Sequence, residues 1–218
     1  MTKIKICGIR TPEHAIAAAK AGADFIGMVF APSPRRITQD AAASITAALT
    51  KEKSGVEVVG VFVNADAGTV NRICGMCRLD RVQISGDESW EYCREIEKPL
   101  IKVIRVNRDN PPGKAGRDVE YGLKLLKGRE VILMLDTNAG GRYGGTGKTF
   151  DWELAQPIAR RFPIIIAGGL TPGNVPEAIK TISPWGVDVS TGVETRGTKD
   201  AEKIKKFIEA VRRTDAGS

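Results

Sequence analysis

The 218-residue sequence predicts a single (β/α)8 barrel, and three observations support this fold class. Eight short apolar runs alternate with stretches of helical pattern along the chain. The starts of the runs recur about every 26 residues, close to the spacing expected when about 250 residues form eight β/α units. The composition, 42% hydrophobic and 27% charged, is that of an ordinary globular protein. A doubly wound open sheet is the alternative that the same pattern allows.

The eight apolar runs are predicted to be buried parallel strands. Most are rich in Val and Ile and about four to seven residues long, which is typical of strands covered on both faces. We expect the barrel to span residues 1–213 and residues 214–218 to form a frayed tail. In chain order the predicted strands are Ile4–Cys7, Phe25–Phe30, Val58–Val63, Arg81–Ile84, Leu100–Val106, Val131–Asp136, Pro163–Ala167 and Gly186–Ser190.

Helix signals fill the segments between the predicted strands. Thr11-Pro12 and Thr171-Pro172 each place a capping hydroxyl before a proline at the first helical position. Gly22 is placed as the stop of the first helix. Val175–Ile182 carries apolar residues at i, i+3, i+4 and i+7, which marks one buried helix face. The fifth helix is predicted near Asp118–Leu126.

The charge and composition narrow the classes of partner. A net charge of +7 agrees with nucleic acid, a membrane surface or a small anionic substrate. The basic residues are scattered, with no basic tail or aromatic platform, which disfavours nucleic acid; a solvated basic surface explains the charge, and an anionic metabolite is compatible with it. No apolar run reaches the roughly 18 residues of a membrane span, and the N-terminus lacks an apolar signal core. We therefore expect a cytoplasmic protein with no membrane partner. The single histidine excludes a multi-histidine metal site.

In a barrel of this class the active site lies at the carboxyl ends of the strands, and the loops after strands seven and eight often hold a phosphate. Gly168 and Gly169 follow the seventh run, where glycines let backbone N–H groups approach a ligand closely. Ser190, Thr191 and Gly192 follow the eighth run. These two loops predict a phosphate site, and the alternative is that the glycines only form tight turns.

Other candidate site residues also stand at strand ends. Asp136 closes an apolar run and is either a site acid or a structural cap. Cys7 is either a small core residue or a reactive thiol, and a reactive thiol would need a nearby cation. Arg35 and Arg36 lie in a proline-framed loop and either bind a carboxylate through the guanidinium fork or are solvated surface groups.

Strand alternation places two charged residues inside the predicted barrel. Lys5 shares a strand face with Cys7, and Asp188 shares one with Ser190. Because the first and eighth strands of a closed barrel are neighbours, we expect Lys5 and Asp188 to meet as a compensated pair beneath the site.

Two further motifs are given structural interpretations. Cys74 and Cys77 form a C-x-x-C with only Cys93 as a further cysteine nearby and no histidine close, so two thiols at a helix end are favoured over a metal or redox role. The glycine-rich segment Gly140–Lys148 does not match a phosphate-binding P-loop, and it is interpreted as a mobile lid over the barrel mouth.

These residues together resemble the phosphoribosylanthranilate isomerases of tryptophan biosynthesis. The resemblance covers nearly the whole chain, in order. The segments that carry it are Lys5–Ile9, Ser33–Arg35, Gly60–Asn64, Val82–Gln83, Leu135–Thr137, Gly144–Trp152, Gly168–Leu170 and Val187–Glu194.

The resemblance implies an aldose–ketose isomerase, an intramolecular oxidoreductase that performs an Amadori rearrangement without a cofactor or metal. Asp136 would be the general acid that opens the ribose ring, and Cys7 would be the general base at C2′. Arg35 would hold the anthranilate carboxylate, and Gln83 would contact the substrate. The same resemblance assigns the substrate phosphate to Gly168, Gly169, Ser190, Thr191 and Gly192.

Two departures and several rival functions accompany this assignment. Ser85 stands where the family often has histidine, and Arg36 where it often has an aromatic residue, although the Ser-x-Arg spacing favours Arg35 as the carboxylate ligand. The aminoaldose isomerase of histidine synthesis would carry aspartate in place of Cys7, and indole-glycerol-phosphate synthase would carry a strand-end lysine. A non-enzymatic anion- or nucleic-acid-binding protein and an inactive scaffold barrel are the remaining alternatives.

Overall fold

The computed structural model describes residues 1–106, 110–136 and 152–217, in which eight parallel strands close into a barrel in chain order. The first strand pairs with both the second and the eighth, which closes the ring. The barrel strands are β1 Lys3–Cys7, β2 Phe25–Val29, β3 Glu57–Phe62, β4 Arg81–Ile84, β5 Leu100–Arg105, β6 Val131–Asp136, β7 Ile164–Ala167 and β8 Gly186–Val189.

The helices lie between the strands and after the last one. They are α1 Pro12–Ala21, α2 Gln39–Lys51, α3 Ala67–Cys77, α4 Trp90–Cys93, α5 Pro112–Leu125, α6 Trp152–Ala159, α7 Val175–Ile182 and α8 Ala201–Ala216. After β8 a 3-10 turn, Thr191–Val193, leads into a small hairpin of β9 Glu194–Thr195 and β10 Thr198–Lys199.

The apolar side chains divide into layers because neighbouring residues of a strand point to opposite faces. One buried set, which includes Phe25, Val59, Ile101, Met134 and Ile165, fills the lower interior of the barrel. The largest buried cluster lies between the strands and the helices. A third, small cluster lies on the first three strands near their carboxyl ends and consists of Cys7, Val29, Ala31 and Val61, with Val63 packed against it. The lower interior of the barrel is therefore filled mainly by apolar side chains.

The predicted barrel is confirmed, and the cap of its first helix is as predicted. Thr11 caps α1 by accepting a hydrogen bond from the backbone N–H of His14, and Gly22 ends the helix in the left-handed conformation with φ 102°. The fifth helix begins earlier than the sequence predicted, at Pro112, because Pro111-Pro112 starts it.

Two predictions about the last two helices were wrong. Thr171 does not cap α7, since the chain makes one turn first and the N-cap is Asn174. The tail predicted to fray from residue 214 continues α8 as far as Ala216. Asp215 accepts hydrogen bonds from the backbone N and the hydroxyl of Thr2, at 2.9 and 2.6 Å, which ties this end of the helix to the start of the chain. Among the residues described, every helix is too short or too polar to cross a bilayer.

Candidate active site

A buried ion pair lies inside the barrel under the carboxyl ends of β1 and β8. Lys5 and Asp188 are partners in the register of the two strands, and the Lys5 Nζ lies 2.8 Å from Asp188 Oδ1. The Lys5 side chain is fully buried. The pair that strand alternation predicted is therefore confirmed, and each charge compensates the other in a site that water does not reach freely.

Cys7 stands directly above Lys5 on the same strand face. A Cβ placed on Gly27 of the neighbouring strand would lie 2.9 Å from both Cys7 Sγ and Lys5 Nζ, so the glycine leaves room for both groups. Burial raises the pKa of the Cys7 thiol above its ordinary value, and Lys5 opposes that rise by its charge and by a hydrogen bond. The cation that a reactive thiol requires is thus present, but the resting group is the neutral thiol.

Asp136 ends β6 on the same rim of the barrel. Burial raises the pKa of its carboxyl to about 6, and the negative charge of Asp188 contributes in the same direction. Arg105, its partner in the register of β5 and β6, and Lys5 oppose the rise. A carboxyl with this pKa is protonated in a useful fraction of molecules near neutral pH, which is what a general acid needs.

Gln83 is buried on β4 and points into the upper barrel. Its Nε2 donates to the Ser85 hydroxyl at 3.0 Å, so Ser85 orients this amide. Among the residues described, Gln83 Oε1 is buried without a hydrogen-bond partner. A buried acceptor of this kind is costly unless a ligand or water donates to it, which agrees with a substrate contact.

The two loops assigned to the phosphate pack against each other. Gly168 and Gly169 have φ values of 100° and 64°, which a residue with a side chain rarely adopts. Gly192 is held so tightly that a Cβ there would lie 1.9 Å from the carbonyl oxygen of Leu170. Asn174 fixes the first loop by donating to the Gly169 carbonyl at 3.0 Å. Both loops therefore need glycine for steric reasons.

Arg35 reaches the rim of the barrel from the loop after β2, whereas Arg36 is exposed. The Arg35 guanidinium binds Glu194 bidentately, with Nε–Oε1 at 2.7 Å and Nη2–Oε2 at 2.9 Å. Sequence reasoning missed this partner and also missed Lys199, whose Nζ lies 2.7 Å from Glu194 Oε1. Glu194 was part of the segment that resembled the family, but nothing in the strand pattern marked it as a ligand of Arg35.

The C-x-x-C motif lies apart from this rim. Cys74 and Cys77 are buried on α3, outside the barrel wall, and burial raises the pKa of Cys74 to about 12, which makes it an inert thiol. In the part of the chain that the structure describes, no group of three or more metal-binding side chains occurs. The predicted lid, Gly140–Lys148, lies outside the described residues.

Comparisons with known proteins agree with this arrangement. Residues 4–210 match the family model described as N-(5'phosphoribosyl)anthranilate (PRA) isomerase. A relative of that name from Dehalococcoides mccartyi is 47% identical, with 99% of this chain and 98% of the relative covered. One from Roseiflexus is 44% identical, with 97% and 98% covered.

Solved structures agree as well. A phosphoribosyl anthranilate isomerase from Thermotoga maritima has a TM-score of 0.82 at 38% identity, with 98% of this chain and all of that chain covered. Another phosphoribosyl anthranilate isomerase structure, solved in complex with reduced 1-(o-carboxyphenylamino)-1-deoxyribulose 5-phosphate, has a TM-score of 0.79 at 36% identity, with the same coverage. With its barrel, its strand-end residues and its match over almost the whole sequence, this chain belongs to the N-(5'-phosphoribosyl)anthranilate isomerase family.

Proposed function

We propose that this chain converts N-(5'-phosphoribosyl)anthranilate into 1-(2-carboxyphenylamino)-1-deoxyribulose 5-phosphate, a step of tryptophan biosynthesis. The observation that carries the proposal is the placement of a carboxyl with a raised pKa, Asp136, and a thiol, Cys7, on the same rim of the barrel. Family membership supplies the reaction, and these two groups supply the proton transfers that it requires.

The first step is ring opening. Protonated Asp136 donates its proton to the furanose ring oxygen, and the C1′–O bond breaks while the nitrogen lone pair forms the C1′=N bond of a protonated Schiff base. Asp136 is left as the carboxylate. Its raised pKa makes the protonated form available, and the Lys5–Asp188 pair beneath it keeps the surrounding charge close to balance.

The second step is proton removal from C2′. The Cys7 thiolate takes this proton, the C–H electron pair forms the C1′=C2′ bond, and the Schiff-base nitrogen recovers its lone pair. The resulting enolamine tautomerises to the ketone. Lys5 stabilises the thiolate by its charge and its hydrogen bond, so the thiol that rests neutral can act as a base when its proton is lost.

Backbone groups and side chains are assigned to different parts of the substrate. The phosphate is assigned to backbone N–H groups of the loops after β7 and β8, which comprise Gly168, Gly169, Ser190, Thr191 and Gly192. Arg35 is assigned to the anthranilate carboxylate, because a guanidinium matches it bidentately. Gln83 accepts a hydrogen bond from the bound substrate through Oε1. A scattered positive charge supports an anionic metabolite as partner, and we assign the reaction to the cytoplasm without a nucleic-acid partner.

Complementation tests the function. A tryptophan auxotroph that lacks this isomerase should grow without tryptophan when it expresses the chain, and it should not grow when it expresses Cys7→Ala at the same level. Failure of the wild-type chain to restore growth, although it is present and folded, would contradict the proposal.

The pH dependence follows from the two pKa values. The active form holds its proton on Asp136, with a pKa of about 6, and has lost the proton of Cys7, whose pKa is raised. The share of this form is constant between the two pKa values and falls about tenfold per pH unit outside them. We therefore expect kcat/KM to be flat from about pH 7 to 9. A steep fall across that interval, measured at constant ionic strength, would mean that the roles are assigned to the wrong groups.

A further inference from the structure

One carboxylate, that of Glu194, connects the two anion-binding parts of the site. It binds the Arg35 guanidinium through both oxygens, at 2.7 and 2.9 Å, and its Oε1 also lies 2.7 Å from Lys199 Nζ. Lys199 Nζ in turn donates to the Ser190 carbonyl at 2.9 Å, in the loop assigned to the phosphate. A chain of contacts thus runs from the residue assigned to the carboxylate to the loop assigned to the phosphate.

The hairpin after β8 makes this connection. Glu194 and Lys199 are paired residues of β9 and β10, so the short hairpin brings a cation beside the carboxylate. Its two-residue turn, Arg196-Gly197, has φ values of 51° and 76°, the positive values of a tight hairpin turn. Lys203 from α8 fixes the backbone by donating to the Glu194 carbonyl at 2.8 Å.

The cluster is largely buried, and its carboxylate is ionised. The exposed fraction of the side chain is 7% for Glu194, 18% for Arg35 and 2% for Lys199. Burial raises the pKa of Glu194, but the hydrogen bonds from Arg35 and Lys199 outweigh it and bring the pKa to about 2. Buried ion clusters of this kind are weak sources of stability, so their use in geometry is the better explanation.

Arg35 is held in a way that keeps part of its guanidinium available. Glu194 occupies the edge formed by Nε and Nη2, and no described residue hydrogen-bonds the outer edge formed by Nη1 and Nη2. The arginine stem crosses the end of β1, where a Cβ on Gly8 would lie 2.5 Å from Arg35 Cδ. A second carboxylate can therefore bind the outer edge while Glu194 keeps the inner one.

We propose that Glu194 is a positioning residue that sets the spacing between Arg35 and the phosphate loop, and that it thereby selects ligands carrying a carboxylate and a phosphate at that separation. The inference rests on the proposed function. Glu194 touches neither reacting carbon in this account, so it should affect the binding of the carboxylate end and leave the proton transfers intact.

Glu194→Gln tests the inference, because it keeps the shape of the side chain and removes its charge. The probes are reduced 1-(o-carboxyphenylamino)-1-deoxyribulose 5-phosphate and its phenylamino counterpart without the carboxylate. We expect the affinity for the first to weaken by about tenfold or more and the affinity for the second to stay within about twofold. KM for the substrate should rise in parallel, with kcat within about threefold of the wild-type value.

Three further variants make the result specific. Glu209→Gln, an exposed residue of α8, makes the same change of charge and should alter neither affinity. In an Arg35→Ala background Glu194→Gln should cause no further loss of carboxylate affinity, since the group that it positions is gone. Glu194→Asp keeps the charge and shortens the side chain, and it should show the same selective loss of affinity for the probe with the carboxylate. It replaces Glu194→Gln in the test if that variant does not fold.

The outcomes separate this inference from the proposed function. Equal weakening of both probes would mean that Glu194 only supports the fold, and unchanged affinity for both would mean that Arg35 needs no positioning; either result overturns the inference. A fall in kcat at unchanged KM would also overturn it. Failure of the proposed function would instead appear in the wild-type protein, as absence of turnover, whatever the variants do.

Discussion

Asp136→Asn should remove most of the activity and at the same time stabilise the fold at neutral pH. Asparagine cannot donate a proton to the ribose ring oxygen, so kcat should fall by about 10²–10⁴-fold. The affinity for a product analogue should stay close to that of the wild-type protein, because the residue acts on a proton rather than on docking.

The gain in stability follows from the raised pKa. The folded carboxyl has a pKa of about 6, above its ordinary value of 3.8, so the folded state binds more protons between these values. Stability therefore falls as pH rises from about 4 to 6, and the full cost of ionising the buried group remains at higher pH. At about 1.4 kcal/mol per pKa unit, this cost is at most ~3 kcal/mol.

Asparagine removes this cost, so its thermal midpoint at pH 8 should lie above that of the wild-type protein, by up to roughly 6–12 °C for a chain of this size. The advantage should shrink as pH falls below about 6. Asp40→Asn, the same change at an exposed position on α2, is the control and should alter neither kcat nor the pH dependence of kcat. A near-native kcat, or a midpoint that does not rise, would contradict the role or the environment assigned to Asp136.

Gly192→Ala should disrupt the phosphate loop through a single methyl group. Its Cβ would lie 1.9 Å from the Leu170 carbonyl oxygen, which is backbone and cannot move aside as a flexible side chain could. The loops after β7 and β8 must therefore separate. We expect KM to rise by at least about tenfold and stability to fall by about 1–3 kcal/mol.

Gly75→Ala is the matched control for this change. Gly75 lies within α3, and a Cβ there would have no neighbour within 4 Å. Alanine should stabilise the helix by about 0.5–1 kcal/mol and leave KM unchanged. If Gly192→Ala binds the substrate as the wild-type protein does, the close packing of the two loops is not what forms the phosphate site.

Rules that apply to individual strands predicted the part of the site that is formed by residues of the strands. Strand alternation was enough to place Lys5 beside Asp188, because neighbouring strands of a closed barrel bring inward residues together. A different rule, that active sites lie at the carboxyl ends of barrel strands, predicted Cys7 and Asp136 at the barrel mouth. The resemblance to a known family supplied their chemical roles, which periodicity alone did not provide.

Contacts made by loops could not be predicted in this way. Arg35 and Glu194 are separated by 159 positions and meet only because the hairpin after β8 folds back over the barrel. The cap of α7 was assigned to Thr171, although Asn174 occupies it, because a proline after threonine is compatible with either a helix start or a preceding turn. Both cases depend on tertiary geometry that has no periodic signal.

Cys7, as the thiolate, is the base proposed to remove the C2′ proton. The most direct measurement is kcat of purified Cys7→Ala, beside its affinity for reduced 1-(o-carboxyphenylamino)-1-deoxyribulose 5-phosphate. The Cys74→Ser/Cys77→Ser variant, which changes two thiols outside the barrel, is the control and should keep its activity. We expect kcat of Cys7→Ala to fall by about 10²–10⁴-fold while the affinity stays within about threefold. A near-native kcat for Cys7→Ala would contradict it.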